Sequence, residues 1–123
     1  MASREGLCVM AFPESNKKGY VKIINSSKNY QKAIKCHEQE IVCLSLSNDG
    51  SLLASASSSG TLIRVWSTEL GKDTALHVLR RGTNTVEIYD IAFNKDASLV
   101  AISSSSTTIH IYRIKEEHIN TFQ

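Results

Sequence analysis

A shift of 47 residues lays positions 41–61 over 88–108 with nine identities in twenty-one positions. The shared residues are Ile41/Ile88, Asp49/Asp96, Ser51/Ser98, Leu52/Leu99, Ala54/Ala101, Ser57/Ser104, Ser58/Ser105, Ser59/Ser106 and Thr61/Thr108. An internal repeat at this period limits the fold severely, because one unit cannot bury its own apolar faces and must stack on its neighbours. Each copy alternates apolar and polar residues with the period of a strand rather than of a helix. In the first copy, 41–47 reads as a strand, Asn48-Asp49-Gly50 as a tight turn, 52–57 as a second strand and 62–66 as a third. In the second, strands are expected at 88–93, 99–103 and 109–112, with the turn at Lys95-Asp96-Ala97. Of seventeen serines, seven cluster at 57–59 and 103–106, between apolar runs, where they mark turns.

Three or four short strands per 40–50 residues is the spacing of a β-propeller blade. The expected fold class is therefore all-β: a partial WD-type β-propeller of about two to three four-stranded antiparallel blades. Residues 19–24 extend the pattern toward the N-terminus, which divides the chain into a remnant blade at 1–35, a blade at 36–79 and an incomplete blade at 80–123. An open arc of blades leaves unpaired edges, so self-association through those edges is expected.

With 41% hydrophobic and 21% charged residues the chain has the balance of a folded domain. The longest apolar run, 7–12, is far too short to cross a bilayer as a helix, and no signal peptide opens the chain, which points to a cytoplasmic protein. The net charge of +2 hides an asymmetry of +5 up to Lys35 and −3 beyond it. That is too little for nucleic acid, and no nucleic-acid reading motif is present. Cys8, Cys36 and Cys43 are odd in number and read as reduced thiols. Cys36, His37 and Cys43 lack the second ligand pair that a tetrahedral zinc site requires, so no metal and no cofactor is expected. No nucleophile elbow, phosphate loop or His-Glu-x-x-His helix occurs, so the chain reads as a binding protein and not an enzyme.

Between the copies stands Leu79-Arg80-Arg81-Gly82. On an extended chain neighbouring side chains point to opposite sides, so the two arginines cannot easily grip one small anion together but can reach separate pockets on flanking blades; read alone, the pair is a solvated face. Guanidinium groups make bidentate, charge-assisted bonds to phosphate. Together with Ala11-Phe12-Pro13, Gly60-Thr61-Leu62-Ile63-Arg64-Val65, Ile91-Ala92-Phe93-Asn94 and Thr108-Ile109-His110-Ile111-Tyr112, the motif resembles the PROPPIN family. These are the WIPI-type phosphoinositide-binding propellers of autophagy, and Leu79 resembles their Leu-Arg-Arg-Gly subset.

The resemblance implies an autophagy adaptor that recruits machinery to membranes bearing phosphatidylinositol 3-phosphate or the 3,5-bisphosphate. It would be peripheral to phagophore or endosomal membranes, with autophagy proteins as partners. By the same resemblance a first headgroup pocket would use His37, Ser55, Ser57, Gly60, Thr61, Arg64 and Arg80, and a second would use Arg81, Gly82, Ser104, Thr108 and His110. Read from the residues alone, Ser55, Ser57 and Ser104 satisfy turn backbone, His37 is the structural histidine of a WD-type repeat, and His110 faces solvent. Trp66 reads as core. The alternative function is a truncated WD-repeat interaction fragment whose lipid pockets are vestigial. Compared with the family ring, the chain is expected to lack the first blades and, with Glu116 and Glu117 in a polar tail, an apolar insertion loop.

Overall fold

The computed structural model describes residues 2–4 and 7–114. Eleven strands follow in chain order among them: β1 (Ala2–Arg4), β2 (Leu7–Pro13), β3 (Tyr20–Asn25), β4 (Tyr30–Lys35), β5 (Ile41–Leu46), β6 (Leu52–Ser57), β7 (Leu62–Ser67), β8 (His77–Arg80), β9 (Ile88–Phe93), β10 (Leu99–Ser104) and β11 (His110–Arg113). They form three antiparallel meanders, β1–β4, β5–β8 and β9–β11, each strand bonded to its neighbour in sequence. The all-β reading of stacked blades holds: two sheets have four strands and one has three.

The repeat is visible in the turns. Asp49 Oδ1 accepts bonds from the N–H of Ser51 at 3.0 Å and the hydroxyl of Ser51 at 2.7 Å. Asp96 Oδ1 does the same for the N–H and hydroxyl of Ser98, at 3.1 and 2.7 Å. Gly50 takes φ +78° in the first of these turns, and Ala97 takes φ +60° in the second. A left-handed alanine is unfavourable, so the second turn is held by its aspartate rather than by residue preference.

Two apolar cores lie between the sheets. Val9, Val21, Ile23, Ile34 and Cys36 of the first sheet and its exit pack on Leu53 and Trp66 of the second. Ala54, Ala56, Ile63 and Val65 pack on Ile88, Ile91, Val100, Ile102 and Ile114. The middle sheet is buried on both faces, which explains why β6 reads Leu-Leu-Ala-Ser-Ala-Ser with five of its six residues buried. Small residues are needed where two neighbours press from opposite sides.

The stretch 1–35, expected as a remnant, carries four strands. Tyr30–Lys35 supplies the outer one, with its side chains alternating toward solvent. Strand β8 crosses the boundary expected between 79 and 80. Residues 115–123, assigned from the sequence to the incomplete last blade and including Glu116 and Glu117, lie outside the described residues.

Candidate headgroup-binding site

The first sheet hands over to the second through Cys36 and His37, whose N–H groups both donate to Gly19 O, at 2.8 and 3.2 Å. This turn pushes the His37 ring under the second sheet, where it is 4% exposed. There His37 Nε2 lies 2.9 Å from Ser55 Oγ, and Trp66 Nε1 donates to the same oxygen at 3.0 Å. Ser55 is wholly buried. Burial, with the positive charge of Arg64 second, pushes the His37 pKa down to about 4, so the ring is neutral at physiological pH. The adjacent Cys36 thiol is pushed up to about 12, chiefly by burial, and Cys43 is raised by burial and then by Asp90. Neither is a thiolate nucleophile. Among the described residues no cluster of three His, Cys, Asp or Glu side chains could hold a metal ion.

Above this floor the β6–β7 turn presents a ladder of hydroxyls. Ser57 Oγ is 3.1 Å from Ser59 Oγ, which is 3.4 Å from Thr61 Oγ1. Gly60 takes φ +70°, and a Cβ there would fall 2.1 Å from the carbonyl oxygen of Val86. Only glycine lets the turn tuck beneath the segment leading into β9. Arg64, half-buried, donates from Nη1 to Cys36 O at 2.7 Å. The second copy repeats the ladder. Ser104 Oγ is 2.9 Å from Ser106 Oγ, which donates to Thr108 O at 3.4 Å. Hydroxyls in this setting can turn outward to donate to an anion or inward to satisfy one another.

The two arginines separate as the alternation requires. Arg80 ends β8 directly opposite Leu62, with Val78 opposite Arg64, so Arg80 shares the sheet face of Arg64. It is exposed, and among the described residues its guanidinium has no hydrogen-bond or ion-pair partner. Arg81 is partly buried: its N–H donates to Thr61 O at 2.9 Å, its Nε to Gly60 O at 2.6 Å and its Nη2 to Asn84 O at 2.5 Å. Gly82 follows, half-buried, and also donates to Thr61 O, at 3.4 Å. On the far side, His110 and Tyr112 stack at 6.3 Å between ring centroids. His110 Nδ1 is buried with no hydrogen-bond partner, an acceptor or donor left unsatisfied. Tyr112 donates to Arg80 O at 2.6 Å.

Of the residues assigned to the first pocket, His37, Ser55, Ser57 and Gly60 are buried, Thr61 and Arg64 are half-buried, and Arg80 is exposed. The second group gathers Ser104, Thr108 and His110 on the third sheet, with Arg81 and Gly82 at the junction. Sequence reasoning missed Tyr112 and the bonding of Trp66 to Ser55. The alternation of β11, which puts Tyr112 on the side of His110, was the available signal for the tyrosine.

A family model described as PROPPIN matches residues 3–121. The chain belongs to the PROPPIN family. This is an autophagy-related, phosphoinositide-binding family of β-propellers. Among its relatives is the Autophagy-related protein 18e of Arabidopsis thaliana, 37% identical over 121 residues, covering 92% of this chain and 32% of that protein. The fold matches Kluyveromyces lactis Hsv2 with a TM-score of 0.81 at 23% identity, over 89% of this chain and 35% of Hsv2. It also matches KlAtg21, solved in complex with the coiled-coil of AgAtg16, with a TM-score of 0.76 at 29% identity, over 86% of this chain and 36% of that one. The chain spans no more than about a third of the length of the curated relatives it matches.

Proposed function

We propose that this PROPPIN chain is a non-enzymatic phosphoinositide-binding adaptor segment that brings autophagy proteins to membranes bearing phosphatidylinositol 3-phosphate or the 3,5-bisphosphate. The observation that carries this reading is Arg80: an exposed guanidinium without a partner among the described residues, on the same sheet face as Arg64 and paired with Leu62, which directly follows Thr61 of the hydroxyl ladder. A cation left unpaired beside hydroxyl donors is suited to a phosphate.

In the first pocket Arg80, Arg64, Ser57 and Thr61 hold the headgroup, Gly60 gives it close access, and His37 and Ser55 keep the floor rigid. In the second, Ser104, Thr108 and His110 hold the headgroup, with His110 on the inter-sheet face opposite Ile102 and its Nδ1 buried without a partner among the described residues. Arg81 and Gly82 shape its wall, and Arg81 contributes charge from a position fixed by Gly60 and Asn84. Two weak sites on one body gain by avidity when both meet the same membrane. The site of action is the cytoplasmic face of phagophore or endosomal membranes, where the protein is peripheral. A protein partner is supported by the neighbour KlAtg21, which is solved with a coiled coil.

The test is vesicle flotation of the chain and its Arg80→Thr/Arg81→Thr variant on phosphatidylcholine vesicles with and without phosphatidylinositol 3-phosphate. Binding that depends on the phosphoinositide and disappears in the variant is expected. Equal binding by the variant contradicts the reading and leaves the interaction-fragment alternative.

A further inference from the structure

The three sheets repeat one cross-strand arrangement. On the leading face, which a sheet turns toward the next one, an alanine is paired with a β-branched residue: Ala11 with Ile23, Ala54 with Val65 and Ala101 with Ile111. On the rear face, toward the preceding sheet, the neighbouring pairs are larger: Met10 with Ile24, Leu53 with Trp66 and Val100 with Tyr112. Small residues on one side of a junction make room for large ones on the other.

Two junctions are built from these positions. Ala11 and Ile23 share a core with Leu53 and Trp66, and Ala54 and Val65 share one with Val100 and Tyr112. At the first junction two residues of β4 also reach across from the leading face. The Lys32 ammonium, almost fully buried, donates to the carbonyls of Ser67, Glu69 and Lys72, and Tyr30 donates to Thr68 O at 2.8 Å. Two faces stay open. Ile111 is 64% exposed beside half-buried Ala101, and Met10 is 38% exposed beside half-buried Ile24. Neither pair belongs to an apolar core of the described residues. The open leading face continues through Ala92, paired with Ala101, and Ile109, which lines a cavity with Ala92, Ala101 and Ser103. The open rear face continues through Phe12, exposed two residues beyond Met10.

These open faces are the two halves of one more junction. We infer that the leading face of the third sheet, around Ala101 and Ile111, stacks on the rear face of the first sheet of a second copy of this chain, around Met10 and Ile24. The occupant follows from the repeat, since at the same register positions the molecule covers each leading face with a rear face. Like faces do not serve: alanine against alanine leaves a void, and two rear faces crowd large side chains together. Charge selects the same arrangement. The chain carries +5 up to Lys35 and −3 beyond it, so a first sheet is attracted to the far end of another copy and repelled by another first sheet. A contact between unlike faces either closes into a ring or runs on as a filament. Three sheets in each copy make six in a pair, within the roughly four to eight blades that close a propeller, whereas a third copy exceeds that range. The pair is therefore a closed, head-to-tail dimer, and nothing in this contact depends on the phosphoinositide reading.

The experiment is sedimentation velocity of the full chain over a concentration series, alongside its Ile111→Asp and Met10→Asp variants. The wild-type chain is expected to pass from monomer to dimer. Each variant should raise the dimer Kd about a hundredfold, since both junctions of the ring lose an apolar contact. Mixing the two variants should restore a dimer, because the leading face of the Met10 variant and the rear face of the Ile111 variant are both intact. A monomer at every concentration, a dimer that only one variant weakens, or a dimer that neither weakens overturns the stacking. Filaments overturn the closed pair. If circular dichroism shows that either aspartate variant does not fold, Ile111→Thr and Met10→Gln replace them, and the same pattern of two weakened dimers with a recovered mixture is required.

Discussion

His37 is buried beneath the second sheet, where its Nε2 meets Ser55 Oγ at 2.9 Å in the floor of the proposed first pocket. Its ring is neutral because burial, aided by Arg64, holds the pKa near 4, whereas in the unfolded chain it titrates at about 6.5. As pH falls the unfolded state therefore takes up the proton first. The contribution of His37 to stability is complete above pH 6.5 and is lost as pH drops toward 4, by about 2 kcal/mol at pH 5 and about 3 kcal/mol at pH 4. Urea denaturation at pH 7.5 and pH 5 should reveal this loss, and His37→Asn should flatten it. An equal pH dependence in the variant would place the titration elsewhere.

At the scale of elements, the junction between the first two sheets depends on Lys32. Its ammonium takes the place that a bound cation would occupy among the carbonyls of Ser67, Glu69 and Lys72 and the carboxylate of Asp73. Lys32→Met should leave those oxygens without their donor, lower stability by about 1–2 kcal/mol and speed tryptic cleavage at Lys72 about tenfold as the loop opens more often. Cleavage at the wild-type rate would show that Tyr30 alone anchors the loop. The strands of the repeat were legible because their alternation is written twice: 52–57 and 88–93 match the observed bounds, and the others fall within one or two residues. Strand β4 was not, because Tyr-Gln-Lys-Ala-Ile-Lys is an outer strand whose exposed half erases the apolar signal. The residues of the candidate site could be named one at a time. The bonds joining His37 to Ser55, or Arg81 to Gly60, could not, since they depend on where separate turns meet in space. The separation of Arg80 from Arg81 was legible, because strand alternation alone demands it.

On the scale of the whole molecule, function and folding are coupled through the two inter-sheet junctions. Each apolar core joins adjacent sheets, and each proposed pocket is assembled across one of those junctions, so a headgroup held there binds only the stacked state. Arg80 and Tyr112 show the connection directly, since the tyrosine of the third sheet bonds the backbone of the arginine on the second. A ligand selective for the native state raises its stability by mass action. The decisive measurement is a far-UV circular dichroism melt of the chain with and without soluble short-chain phosphatidylinositol 3-phosphate. A cooperative loss of β structure whose midpoint rises with the lipid, and does not rise in the Arg80→Thr/Arg81→Thr variant, is the predicted result. A midpoint that saturating lipid leaves unmoved would contradict the claim that these stacked sheets form a phosphoinositide site.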